Sequence, residues 1–477
     1  MLFNSIDFLI FLFIVYFLYW FVFAKKLAAQ NIFLLTASYV FYAWWNWHFL
    51  FLLIFSTLID YFFGILIYQT QRKKLFLWLS IVNNFGILIF FKYYNFFAES
   101  VQSFLSDIGW HVDPVLLNIA LPVGISFYTF HGMSYVIDIY RGKITPTRNF
   151  INYAVFVCFF PLLVAGPIER AWHLLPQVEK PRKFDYRQST LGLRLMLWGF
   201  FKKIVIADSL SVLVSKAFNN YHHASGVTLI MGAVYFAVQI YCDFSGYTDI
   251  ARGTAKLLGI ELLINFKFPY FSRDIAEFWR RWHISLSSWF RDYLYIPLGG
   301  SKNGKLLAVR NTFIIFLVSG FWHGANWTFI FWGLLHAVYF LPLLLLKRNR
   351  VNTGPINPGS ALPSLKYLSQ VLITFSLVCL AWIFFRAATI TDAFLYIKSI
   401  ATNPFFKGTR SQFFKPYLIL LILMLFTVEW ITRNAEVEYF FDRFKNNTLR
   451  YSVYFLIVIF IFLFGSFGQH SFIYFQF

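Results

Sequence analysis

Long apolar runs separated by short polar breaks set the period of this chain. A helix needs about 20 mainly apolar residues to cross a bilayer, and runs of that kind begin at Ile6, Ile32, Phe49, Leu75 and Val115. Further spans are expected over 191–212, 228–244, 311–321, 328–346, 368–385, 416–430 and 453–467, some of them short for a full crossing. The pattern predicts an all-α polytopic membrane protein with about ten to thirteen transmembrane or re-entrant helices.

Charge gives the orientation. Lys25 and Lys26 follow the first span, Arg72, Lys73 and Lys74 the third, and Arg141, Lys143 and Arg148 the fifth. The loop over 44–48 has no Lys or Arg, and the next alternate loop carries Glu99, Asp107 and Asp113 despite Lys92. Positive loops face the cytoplasm, so the N-terminus is expected outside it. Residues 155–166 are too short to cross untilted and lead into Pro167, Pro176 and Pro181. A re-entrant or buried irregular segment is expected there, because backbone leaves helical geometry at membrane depth only beside protein or a water-filled cavity. No internal repeat stands out. Residues 1–477 read as one integral-membrane domain, with N-terminal spans 1–114, a core 115–345 containing a cytoplasmic amphipathic segment 268–300, and C-terminal spans 346–477.

Composition agrees: 59% of residues are hydrophobic, 23% aromatic and 13% charged, where a soluble domain has about a quarter charged. The formal net charge of +20 would elsewhere suggest nucleic acid, but here it lies in clusters between spans and serves topology, so no nucleic-acid partner is expected. Cys158, Cys242 and Cys379 sit in apolar stretches without CxxC spacing, which supports neither a disulfide framework nor a metal site. The first seven residues lack a basic n-region, so the first run is read as a span and not a signal peptide.

Chemistry concentrates in three stretches. Residues 266–300 hold Asp274, Glu277, Arg280, Arg281, His283, Arg291 and Asp292 among aromatics. As one helix over 275–290, it would pair Glu277 with Arg280 and Arg281 and line up Ile275, Phe278, Trp282, Leu286 and Trp289 on an apolar face. Two readings stand: an interfacial anchor, or a basic vestibule in which arginine forks grip a phosphate-bearing cofactor. The nearby GGSKNGK from Gly299 lacks the Ser or Thr of a P-loop and reads as a basic turn.

His323 lies in the apolar stretch 320–336, and an ionisable group within a span is a functional candidate by default. Gly324 lets backbone approach closely, while Trp322, Asn326 and Trp327 supply ring walls and a polar partner. A neutral imidazole there can take a proton from a hydroxyl. His336, thirteen residues on, would lie about 20 Å along one continuous helix and roughly 140° around it; it lines another level of the same cavity or is structural. Asp243 and Asp249 fall near the end of a predicted span, where capping and turn formation compete with orienting a base or substrate. Asp138, Glu169 and Arg170 are similar, with a Glu169–Arg170 pair suited to fastening the irregular segment. No HExxH, GxSxG or HxxxxD box is present, so a covalent serine mechanism has no local support.

LPVGISFYTF from Leu121, PLLVAGPIER from Pro161, CDFSGYTDIA from Cys242, FPYFSRDIAEFWRRWHISLSSWFRDYLYIPLGG from Phe268, FWHGANWTFIFWGLLHA from Phe321 and FIYFQF from Phe472 occur in order. On these blocks the sequence resembles the membrane-bound O-acyltransferase (MBOAT) family, in the bacterial branch that includes the alginate O-acetylation membrane protein. The resemblance implies that His323 is the catalytic histidine and His336 the second histidine of its motif. It implies a cavity reached by acyl-CoA from the cytoplasm and by an acceptor from the other side, in a bacterial inner membrane. Acetyl-CoA is then a substrate and not a resident cofactor, with Arg280, Arg281, His283, Asn326, Trp322, Trp327 and Asp243 as candidate binding residues. In that branch the membrane protein hands acetyl groups to an extracytoplasmic partner acting on a polysaccharide, and no large esterase-like module is visible here, which implies a separate SGNH-type partner. The alternatives are a related branch that transfers D-alanine to teichoic acid, and a non-enzymatic flippase of an anionic lipid-linked substrate.

Overall fold

The computed structural model describes residues 1–164, 166–302, 304–358, 360–406, 413–468 and 472–473, and is helical with no strand among them. Residues 474–477 of the closing FIYFQF block lie outside the described residues. Seven helices are long and apolar enough to cross a membrane, or eight if Pro416–Thr432 and Val437–Arg443, bent by 82°, form one broken span. Two shorter apolar helices, Ile6–Val22 and Leu27–Ala43, join them. The protein is a multi-pass membrane protein.

The chain packs as two compact units, one of residues 1–190 and 254–263, the other of 191–253 and 264–477. In the first, the helices His48–Gln69 and Lys73–Asp107 have spanning length. A fifth span from Val115 does not form. The helix that begins at Lys73 runs on to Asp107, residues 110–122 are irregular, and the next helix is Ile125–Tyr140, nearly all buried. Pro122 and Gly124 explain the shift: Gly124 has φ +74°, and a Cβ there would lie 2.1 Å from the Leu163 carbonyl oxygen. The expected irregular segment is made of two short helices, Phe150–Cys158 and Phe160–Leu163, the second wholly buried.

Several buried polar groups inside this unit pair with one another, which offsets the cost of burying them. Asp60 accepts from Ser80 Oγ at 2.6 Å and from Asn84 Nδ2 at 2.9 Å. Glu169, fully buried, accepts from the Leu263 amide at 2.6 Å and pairs with His173 Nδ1 at 2.7 Å. That hydrogen bond raises the His173 pKa, with burial pulling the other way. A raised folded-state value means the stabilisation is fully present below the unfolded value of about 6.5 and is lost as pH rises through the folded one. His173→Gln should therefore lower the melting temperature more at pH 5.5 than at pH 9; an equal loss at both would contradict the pairing.

The second unit carries the helices Gly226–Leu257, Lys305–His323, Trp327–Leu345, Leu365–Arg386 and Asn447–Phe464. The span expected to end at Phe244 continues to Leu257, so Asp243 is not an end-cap. Its charges are compensated instead. Lys203 Nζ lies 2.6 Å from Asp243 and 2.7 Å from Asp208, Lys202 pairs with Asp249, and Tyr241 donates to Glu429 at 2.7 Å. Charge inside a span is tolerated when paired in this way, and hydropathy alone cannot see the partners.

Candidate active site

The site grows from a hairpin. His323 is the last residue of the Lys305–His323 helix, and Asn326 caps the Trp327–Leu345 helix by accepting from the Thr328 amide at 3.0 Å. The two helices touch at backbone level. A Cβ on Gly320 would sit 2.2 Å from the Phe329 carbonyl oxygen, and one on Gly333 2.3 Å from that of Phe316. Small residues allow such approach between membrane helices. Gly320→Ala should cost about 1–3 kcal/mol by overpacking, read as a lower melting temperature in detergent; an unchanged melt would contradict the contact.

The hairpin also separates the two histidines differently from a continuous helix. Trp332 stands between them, its ring 5.1 Å from His323 and 4.9 Å from His336. Both imidazoles are buried. The Trp279 indole donates to His336 Nδ1 at 3.3 Å, and because indole can only donate, the neutral His336 ring carries its proton on Nε2. Phe278 and Phe316 flank that ring at 6.2 Å and 6.3 Å.

His283 is brought to the same place from forty residues earlier in the chain. The single helix expected over 275–290 is broken into Ile275–Arg281 and Ile284–Phe290, with His283 between them at φ +43°. A left-handed non-glycine residue costs of order 1–3 kcal/mol and persists only where its surroundings impose it. Here the Ile284 amide donates to the Asn265 carbonyl at 2.9 Å and the Lys267 amide to that of Arg281 at 3.0 Å. The His283 ring then faces His323 at 6.4 Å between centroids, with Phe244 at 4.7 Å and Trp322 at 5.9 Å. Neither of its nitrogens has a hydrogen-bond partner among the described residues. Burial pushes its pKa down to about 3, so it is neutral at physiological pH and offers one donor and one acceptor.

Much of the segment 275–290 is packed into the protein: Glu277, Arg281, Trp282 and His283 are all buried. Burial pushes the Glu277 carboxyl up, but bonds from Arg273 and Arg281 outweigh it and hold it below its usual range. Arg280 and Arg281 line a separate pocket of about 410 Å³ with Lys267, Arg433 and Asn352.

Thus His283, Trp322 and His323 converge, and His336 joins through Trp332. Asp243 is tied to Lys203 and to the Ile473 amide at 2.7 Å. Asn326 is engaged as a cap and also donates to the Ala388 carbonyl at 3.1 Å, while Trp327 is 55% exposed. The aromatic walls Trp332, Trp382 and Phe385 escaped the sequence reading. Within an apolar span, ring walls and lipid-facing aromatics look alike.

Residues 144–357 match the membrane-bound O-acyltransferase family. A probable alginate O-acetylase AlgI of Azotobacter vinelandii is 41% identical over 374 residues, covering 76% of this chain and 71% of the relative. A peptidoglycan O-acetyltransferase of Helicobacter pylori is 36% identical over 407 residues, covering 79% and 75%. A teichoic acid D-alanyltransferase of Streptococcus thermophilus is 29% identical over 281 residues, covering 55% and 68%.

Proposed function

This chain belongs to the membrane-bound O-acyltransferase family, and from that premise we propose that it moves acetyl groups from cytoplasmic acetyl-CoA through the membrane to an extracytoplasmic acceptor, for O-acetylation of a cell-envelope or secreted polysaccharide. Acyltransferase membership sets the flippase reading aside. The proposed setting is a bacterial cytoplasmic membrane, with an SGNH-type partner completing transfer to the glycan. The observation that carries the reading is the buried His323 beside His283 inside an aromatic wall, in a chain 41% identical to a probable alginate O-acetylase over three quarters of its length.

In this mechanism His323 takes the proton of an acceptor hydroxyl as its oxygen attacks the thioester carbonyl. The tetrahedral intermediate collapses, the carbon–sulfur bond breaks, and the leaving thiolate recovers the proton from the imidazolium. The products are an acetyl ester and free CoA. General-base catalysis is worth about 10²–10⁴-fold, so positioning by the surrounding rings supplies much of the rest. In this reading neutral His283 orients the hydroxyl or donates to the developing oxyanion. The phosphates of CoA suit the pocket of Lys267, Arg280, Arg281 and Arg433, since guanidinium forks match phosphate geometry.

D-alanyl transfer is the second reading, favoured only by the weaker likeness to the S. thermophilus enzyme. The test is thiol release by purified protein in nanodiscs given an envelope glycan fraction. Release from acetyl-CoA that needs the fraction supports acetyl transfer. Turnover of a D-alanylated carrier protein with none of acetyl-CoA would replace it.

A further inference from the structure

Four cations, Lys267, Arg280, Arg281 and Arg433, face the single carboxylate of Glu277 in the 410 Å³ pocket, yet three of them already hold a length of backbone. Arg280 donates to the carbonyls of Asn349 at 2.8 Å and Asn352 at 2.9 Å, Arg281 to that of Gly354 at 3.1 Å, and Arg433 to that of Ile356 at 3.2 Å. Residues 349–356 thus form a strap along the pocket. Its side chains hold it unevenly, at Asn352 and at the fully buried Ile356. Asn352 donates to Asp274 at 2.6 Å, and Ile356 packs with Phe268 and Tyr367, but Val351 is 67% exposed. Left-handed residues bracket it, Lys347 at φ +56° and Asn357 at φ +42°; the lysine end stores backbone strain, while asparagine adopts this conformation readily.

Neutral carbonyls are weak competitors for a guanidinium. Hydrogen bonds from arginine to an anionic phosphate are roughly twice as strong as neutral ones and can be bidentate. We propose that the strap carbonyls and the phosphates of a nucleoside bisphosphate compete for the guanidinium donors of Arg280, Arg281 and Arg433, so that binding the nucleotide end of the acyl donor loosens the strap. This rests on the reading of acetyl-CoA as donor and adds a conformational step to it. The strap then acts as a lid that holds the arginines in place between turnovers and gives way when phosphate arrives.

The test uses the full chain in nanodiscs with adenosine 3′,5′-bisphosphate as probe and adenosine as control. The native cysteines are all buried, so Val351→Cys takes a nitroxide label at one exposed position. Bisphosphate should raise the label's mobility and adenosine should not. Asn352→Ala, which removes a strap tether bonded to a charged group, should bind bisphosphate roughly tenfold more tightly. Bisphosphate binding with an unchanged or more ordered label, or weaker binding by Asn352→Ala, would overturn the strap while leaving the donor reading intact. Acetyl-CoA turnover without bisphosphate binding would do the same. Neither binding nor turnover of acetyl-CoA would remove both.

Discussion

His323→Gln should lower acetyl transfer by about 10²–10⁴-fold, with the loss in kcat and the KM for acetyl-CoA nearly unchanged. Glutamine keeps a hydrogen-bonding amide of similar reach but has no basic nitrogen, so the variant separates proton transfer from packing. The imidazole sits at the tip of a hairpin whose helices touch at Gly320 and Gly333, and its ring is walled by Trp322, Trp332 and Phe385. A side chain held in this way cannot be replaced by a neighbouring base without rearranging three large rings. His283 is the nearest imidazole described, and burial pushes its pKa down to about 3, so it is neutral at physiological pH. A loss confined to the transition state appears in kcat and kcat/KM alike, whereas loss of ground-state binding appears in KM. Activity within threefold of wild type in a normally folded variant would remove His323 from the chemistry.

The largest expected effect on stability lies elsewhere. Lys203→Met should destabilise the second unit by about 3–5 kcal/mol, the usual result of removing one partner from a buried ion cluster. The Lys203 side chain is 1% exposed and its Nζ lies between Asp208 at 2.7 Å and Asp243 at 2.6 Å. Methionine fills much of the same volume but leaves two carboxylates facing each other in an apolar surround, where an uncompensated charge is costly. Adding Asp208→Asn and Asp243→Asn to Lys203→Met should recover much of the loss, because replacing all the charges together avoids the orphaned ones. Thermal unfolding in detergent measures the series. A single variant that melts within about a degree of wild type, or a triple variant less stable than the single one, would contradict the account of this cluster.

The residues of the candidate site differ in how plainly the sequence marks them, for physical reasons. His323 announced itself because an imidazole in an apolar run is rare without purpose, and the glycines around it signalled close packing. The basic pocket was legible as chemistry, since RRWH at 280–283 concentrates phosphate-binding groups, although its arginines prove to hold backbone carbonyls as well. What stayed hidden were partnerships across sequence distance. Lys203 meets Asp243 forty residues away, and Arg280 meets Asn349 sixty-nine away, which no local period reveals. For the same reason the charged part of Gly226–Leu257 read as the end of a span. The break at His283 was invisible because helical spacing continues across it, and only the contacts with Asn265 and Lys267 impose the left-handed turn. Residues 115–121 failed as a span because hydropathy does not register the proline and glycine that delay the helix to Ile125.

The most direct test of the central proposal follows the two halves of the donor separately. Proteoliposomes with the protein oriented cytoplasmic side out, loaded with an acceptor glycan and its partner protein, are given acetyl-CoA labelled with carbon-14 in the acetyl group and tritium in the adenine. Acetyl transfer across the membrane predicts carbon-14 on glycan in the lumen, tritium remaining outside as free CoA, and neither change with His323→Gln. Both labels entering the lumen together, or carbon-14 reaching the glycan equally well with His323→Gln, would contradict it.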